Sequence, residues 1–143
     1  MTPCYNEALN VEVLYERVRA VFEDLGQNSY EHVFIDNAST DGTVDRLRRL
    51  ASRDKRVKVI VNTRNFGHIR SPYHALLQCK GDAVIVLASD LQDPPELIPE
   101  FLKKWNAGYR VVLGVKATSE DSAVMFAIRK LYYALIDRLS DER

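Results

Sequence analysis

Ala83-Val84-Ile85-Val86-Leu87-Ala88-Ser89-Asp90-Leu91-Gln92-Asp93-Pro94-Pro95-Glu96 is the stretch whose reading decides the fold. Ala83 to Ala88 is apolar on both faces, the pattern of a central parallel strand covered by helices on each side. Ser89 to Asp93 is a turn dense in side-chain oxygens. Proline is favoured in the first helical turn, so Pro94 and Pro95 open a helix whose buried stripe is Leu97, Ile98, Phe101, Leu102 and Trp105. The order is strand, polar turn, helix.

The same order repeats upstream. Leu14, Val18, Val21, Phe22 and Leu25 recur at steps of three and four, which predicts an amphipathic helix from about Leu9 to Leu25, ended by Gly26. His32 to Asp36 is β-prone, and Ser39-Thr40-Asp41-Gly42 supplies turn and cap residues for a helix carrying Val44, Leu47, Leu50 and Ala51. Val57 to Val61 predicts another strand, followed by the turn-rich Asn62 to Gly67 and a helix from about Ser71 to Gln78 with Pro72 in its first turn. Arg110 to Gly114 reads as a further strand. A final helix from about Ser122 to Leu139 gathers Met125, Ile128, Leu131, Tyr132, Leu135, Ile136 and Leu139 on one face. The alternation predicts an α/β layered fold with a mostly parallel sheet. Both ends read as cut: Met1 to Glu7 begins in loop chemistry that a strand should feed, and nothing follows the last helix to cover its apolar face.

Composition narrows the function. The 143 residues are 46% apolar and 28% charged, which suits one soluble domain, residues 1–143, with a core. With 20 basic against 20 acidic residues there is no net charge to attract nucleic acid. Cys4 and Cys79 lie outside any CxxC spacing and read as unpaired thiols of a reducing compartment, the cytoplasm. No apolar run approaches the roughly 20 residues needed to span a bilayer. The basic cluster Arg46, Arg48, Arg49, Arg53, Lys55, Arg56 and Lys58 reads as the solvated face of a helix and its exit. His32, His68 and His74 do not have the spacing of a metal set.

In open α/β sheets the strand C-termini converge on one crevice, so polar residues just after each strand can meet a ligand. Three segments qualify: Pro3 to Glu7, Asp36 to Thr43, and Ser89 to Pro95. Carboxylates there can hold a hard divalent ion or accept hydrogen bonds from a base or ribose. Each also has a plain structural reading. Asp41-Gly42 is an ordinary turn and cap, Asp93 caps the helix that follows, and spacing alone leaves Asp90 open between ligand and turn residue.

The strings PCYNE, DNASTDGT, RNFGH and SDLQDPPELIPEFLKKW, in this order and spacing, resemble the nucleotide-sugar-binding half of glycosyltransferase family 2, and within it the polyprenyl-phosphate (dolichol-phosphate type) mannosyl and glucosyl transferases. The resemblance runs from Thr2 to about Ser140. It implies a three-layer GT-A, Rossmann-like fold, truncated at both ends. It implies further that Pro3, Tyr5 and Glu7 line a nucleotide pocket, that Asp36 contacts base or ribose, that Gly67 lets the chain pass close to the donor and that Arg64 faces phosphate. Asp90 would be the catalytic residue and, with Gln92, a ligand to Mg²⁺ or Mn²⁺ bridging the diphosphate. The implied partners are a nucleotide-sugar donor and a lipid-phosphate or glycan acceptor, at the cytoplasmic face of a membrane. The C-terminal helix, with Phe126, Tyr132 and Tyr133, is then an interfacial helix rather than one packed on the sheet.

The chain departs from the family pattern at Asn37, where many relatives have a second Asp, and at Ala88, where the first Asp of the DxD metal motif is common. No carboxylate after Gly114 is recognisable as a general base, Glu120 and Asp121 reading as helix-start residues; a phosphate acceptor, already a nucleophile, needs none. The rival expectation is therefore a non-catalytic or degenerate nucleotide-sugar-binding module. An unrelated phosphoryl-transfer protein is a weaker alternative: Asp36-Asn37-Ala38 lacks the second carboxylate of a DxD nucleophile pair, and there is no GxxxxGK[ST] loop.

Overall fold

The computed structural model describes residues 1–26 and 29–115, together with positions 128, 130, 132, 133, 136 and 138. The chain divides into two units, Met1–Val112 and Leu113–Arg143. In the first, the elements are β1 (Thr2–Cys4), α1 (Val11–Asp24), β2 (His32–Asp36), α2 (Thr43–Arg53), β3 (Val57–Val61), α3 (Gly67–Gln78), a 3-10 turn (Pro95–Leu97) and α4 (Ile98–Asn106). The three strands form a parallel sheet in the order β1-β2-β3, with Cys4 opposite Asp36 and Asp36 opposite Val61.

Side chains alternate along β2, and the alternation builds two cores. Phe34 faces Val11, Leu14, Val18, Leu47 and Ile98 on the side of α1, α2 and α4. Val33 and Ile35 face Ala75 of α3 on the other side, with Ile60 and Cys79 packed against them. The result is the α/β layered fold expected: helices on both faces of a parallel sheet. Both cysteines are free. The basic cluster is a solvated face with acidic neighbours, since Arg46, Arg48, Arg56 and Lys58 pair with Glu12, Asp45, Asp54 and Glu31.

Five expectations need correction. Met1 to Glu7 is not loop from its start: Thr2–Cys4 is itself a strand, held by parallel pairing with Phe34–Asp36. Residues 84–88 are not a regular central strand. They run beside β1, where the Met1 nitrogen donates to Ile85 O (2.7 Å) and Leu87 N donates to Met1 O (3.0 Å). The next residue of β1 facing that side is Pro3, which has no N–H to donate, so the ladder stops after one bridge. Val86 is left exposed.

Helix α3 begins at Gly67, four residues before the expected Ser71, so Pro72 sits inside it rather than in its first turn. The extra turn is held by contacts no periodicity reports: the Asn37 side chain donates to Gly67 O, and Asn62 Nδ2 donates to Ser71 Oγ. The helix after Asp93 starts as a 3-10 turn, leaving Leu97 exposed and outside the expected stripe. Residues 110–114 form no strand, because no described strand pairs with them, and Val111 and Leu113 are exposed. Of the C-terminal helix, Ile128, Lys130, Tyr132, Tyr133, Ile136 and Arg138 are helical. Met125, Leu131, Leu135 and Leu139 of its expected apolar face, with Phe126, Glu120 and Asp121, lie outside the described residues.

A cavity of about 450 Å³ opens at the N-terminal end of the strands, among Met1, Phe22, Tyr30, His32, Leu102 and Trp105. The expected site residues are at the other end.

Candidate functional site

The loops that follow β1 and β2 are cross-braced by hydrogen bonds between side chains of one and backbone of the other. Asn6 N donates to Ser39 Oγ (2.8 Å), Thr40 N to Asn6 Oδ1 (2.9 Å), Glu7 N to Thr43 Oγ1 (2.9 Å) and Ala8 N to Asp41 Oδ2 (3.0 Å). Asp41 also accepts from Thr43 N through Oδ1 (3.0 Å), the turn geometry its sequence implies. Desolvation pushes the Asp41 carboxyl up, but the Thr43 hydroxyl and the Ala8 and Thr43 amides together hold it below the usual carboxylate value. Asp41 is therefore both a local turn residue and a clamp on the first loop.

Asp36, the last residue of β2, is fully buried. Its Oδ2 accepts from Ser39 N (2.9 Å), while Oδ1 is shielded from solvent and has no hydrogen-bond partner among the described residues. A buried carboxylate oxygen without a donor is costly, by about 1–3 kcal/mol or more for a charged group. Cys4 lies beside it across the β1–β2 register. Burial first, then the Asp36 and Glu7 carboxylates, push the Cys4 thiol up, with the Ser89 hydroxyl acting against them; it stays protonated. Ser89 follows the stretch that runs beside β1 and lies near Cys4, so the Asp90 loop opens at the same C-terminal end of the sheet as the loops after β1 and β2.

Each of these loops contains a non-glycine residue in the left-handed region: Asn6 (φ 58°), Ala38 (φ 66°) and Leu91 (φ 62°). Such backbone costs on the order of 1–2 kcal/mol per residue and gathers where a site over-determines the chain path. Gly67, at φ 83°, takes the same region without that penalty, and nothing within 4 Å would meet a Cβ there. Its conformation explains the glycine without a crowded neighbour.

The remaining expected residues fall as follows. Pro3 is half-buried in β1, Tyr5 is exposed, and Glu7 accepts from Asn10 Nδ2 (2.7 Å) at the start of α1. Arg64 is exposed and lies over the Phe66 ring, 4.7 Å from its centroid. Asp90 is exposed and accepts from Gln92 N through Oδ1 (3.1 Å), closing a turn over Leu91. Among the described residues no hydrogen bond ties the Asp90 or Gln92 side chain to Asp36 or Arg64, and no group of three or more His, Cys, Asp or Glu side chains could hold a metal. A carboxylate oxygen at 90 and an amide oxygen at 92 have the chemistry for a hard cation that brings phosphate and water ligands with it, and do not form a cage by themselves. Sequence reasoning missed Asn6, Ser39, Asn62, Asn65 and Ser71; the asparagines were visible only as turn formers, since each partner lies on a different loop or helix.

Comparison with known proteins gives the family. The family model for glycosyl transferase family 2 matches residues 1–138. An uncharacterized glycosyltransferase of Bacillus subtilis is 36% identical over 99% of this chain and 44% of its own length. A prophage bactoprenol glucosyl transferase homolog of Escherichia coli is 34% identical, over 100% of this chain and 47% of its own. An undecaprenyl-phosphate 4-deoxy-4-formamido-L-arabinose transferase of Pseudomonas syringae is 38% identical over 85% of this chain and 36% of its own. The chain thus spans less than half the length of these curated relatives. With its layered α/β core and its loops gathered at one end of the sheet, it belongs to glycosyl transferase family 2.

Proposed function

We propose that this chain is the donor-binding part of a glycosyltransferase that moves a sugar from a nucleotide diphosphate to a polyprenyl-phosphate acceptor. The observation that carries the reading is Asp36: a buried carboxylate at the C-terminal end of β2, with one oxygen fixed by Ser39 N and the other unmet. A base N–H or ribose hydroxyl would supply the missing donor once the loop groups that shield this oxygen move aside. Pro3, Tyr5 and Glu7 flank that position from the β1 loop. Arg64 and Gly67, in the turn and helix start that Asn37 ties to the end of β2, are the phosphate side of this reading, since a cation and the positive end of a helix favour phosphate. A divalent ion such as Mg²⁺ or Mn²⁺, held by Asp90 and Gln92 together with the diphosphate, supplies charge neutralisation for the departing nucleotide. A lipid phosphate is itself the nucleophile, so the chain need not contribute a base. The acceptor class rests on the names of the relatives, two of which act on or are homologous to enzymes of bactoprenol and undecaprenyl phosphate.

Titration of the intact protein with uridine and guanosine diphosphates, with and without Mn²⁺, tests this. The wild type binds one of them with a metal-dependent affinity, and Asp90→Ala removes the metal dependence. Unchanged binding and unchanged metal response in that variant overturn the site assignment. A second reading, a degenerate binding module, is favoured by Ala88, which leaves Asp90 without an acidic neighbour two residues before it. Glycosyl transfer by the intact wild-type protein sinks it.

A further inference from the structure

Asn37 stands where a second acid is common, and its surroundings give it a different task. It is buried, and all of its hydrogen-bonding capacity is used. Its Oδ1 accepts from Phe66 N (2.9 Å) and Asn62 Nδ2 (3.1 Å). Its Nδ2 donates to Asn65 Oδ1 (2.9 Å) and Gly67 O (3.3 Å). Two of these partners are backbone groups of opposite kind, an N–H and a C=O, so the orientation of the amide is dictated by the main chain and cannot be flipped. Asn65 Oδ1 accepts in addition from Gly67 N (2.8 Å).

We propose that Asn37 is a positioning residue: its amide staples the 62–67 turn and the start of α3 to the end of β2, and so fixes Arg64 and Gly67 beside Asp36. It is neither a ligand to the donor nor a weakened metal ligand, because no lone pair or N–H is left to offer. The functional half of this inference rests on the assignment of Arg64 and Gly67 to the donor phosphates made above. A carboxylate at 37 still accepts from Phe66 N and Asn62, but it cannot donate. It would set an anionic oxygen against Gly67 O and Asn65 Oδ1. Asn65 can turn its own N–H₂ toward that carboxylate only by abandoning Gly67 N, and the turn loosens.

The consequence is selective. In the intact protein, Asn37→Asp weakens binding of uridine or guanosine diphosphate on the order of tenfold or more, the loss of one charge-assisted contact, while affinity for the matching nucleoside, which reaches Asp36 but not Arg64, is unchanged. Amide exchange at Gly67 accelerates in the same variant, with α1 amides unaffected. Asn65→Ala, at an exposed position, removes one partner of the staple without placing a charge in it, produces the same phosphate-selective loss and keeps the test open should Asn37→Asp fail to fold. If Asn37 were instead a weakened ligand, Asn37→Asp would tighten Mn²⁺-dependent diphosphate binding and leave Gly67 exchange untouched; either result overturns the proposal. Arg64→Ala separates the two layers of inference. Unchanged diphosphate affinity in Arg64→Ala removes the phosphate assignment, whereas unchanged Gly67 exchange in Asn37→Asp removes the staple itself.

Discussion

The two ends of β2 carry a buried ionisable side chain each, and they are built in opposite ways. At the N-terminal end, His32 stacks on Phe34 (3.9 Å between centroids), and its Nε2 meets Thr2 Oγ1 at 3.0 Å. Burial above all holds its pKa well below the usual value, so it is neutral. Around it Phe22 stacks on Tyr30, Arg56 lies over the Tyr30 ring, and Asp54 grips both Arg56 and the Tyr15 hydroxyl. At the C-terminal end, Asp36 is met by one backbone N–H and surrounded by loops that hold each other through polar bonds and left-handed residues. The first end is organised by ring packing and a half-buried ion pair, and it too leaves buried polar atoms unmet among the described residues, Tyr30 OH and His32 Nδ1. The second is organised to keep an acceptor in place at the expense of local backbone energy, which is what a binding edge requires.

The contrast predicts that substitutions at the packed side unfold the protein and substitutions at the loop edge disable binding. Phe34→Ala, which empties the core between α1 and α2, lowers stability by about 3–5 kcal/mol in denaturant unfolding; a loss under 1 kcal/mol would show that the sheet face is not the organising core. Asp36→Asn keeps the acceptor for Ser39 N and removes the charge. Calorimetric titration then gives a loss of about 1.5–3 kcal/mol in nucleoside affinity, with a melting temperature unchanged or raised, since an unmet buried charge is gone. A marked fall in melting temperature with intact affinity would make Asp36 a structural residue like those at the other end.

Asp54 offers the smaller test at the packed end. Hydrogen bonds from Arg56, first of all, lower its carboxyl pKa to about 2 against desolvation. A depressed pKa adds stability that is present above the ordinary value of 3.8 and is lost as pH falls toward about 2. Asp54→Asn therefore costs about 1–2 kcal/mol at neutral pH, and its deficit relative to wild type vanishes as pH falls through that window. Smallest of all, Ala38→Gly relieves a left-handed residue and changes stability by no more than about 1 kcal/mol, upward or near zero. A larger loss in chemical denaturation would mean that the Ala38 methyl group packs, and that the loop edge resembles the other end more than its hydrogen bonds suggest.

Much of the fold could be read before any coordinates. His32–Asp36 and Val57–Val61 were delimited by β-prone residues between turn formers, and the helix ended by Gly26 by its three-four stripe. The errors share a cause. Ala83 to Ala88 has the composition of a central strand, yet its pairing depends on a neighbour whose Pro3 cannot donate. Helix α3 starts early because Asn37, distant in sequence, holds Gly67, and Asn62 holds Ser71 one turn on. The site was visible as three polar segments after strands, and Asp36 among them. Its bracing was not, because Asn6 with Ser39 and Asn37 with Asn65 are pairs that only chain crossing brings together.

By itself the sequence determined the alternation of strands and helices, the oxygen-rich loops behind them and the family, because period, cap chemistry and ordered motifs are properties of neighbouring residues. Tertiary structure alone decided that Asp36 is buried with one oxygen unmet, that Asn37 is fully engaged and that Asn6, Ala38 and Leu91 are left-handed. Burial and hydrogen-bond satisfaction depend on which groups from remote segments arrive at the same place, and no local pattern of residues records that.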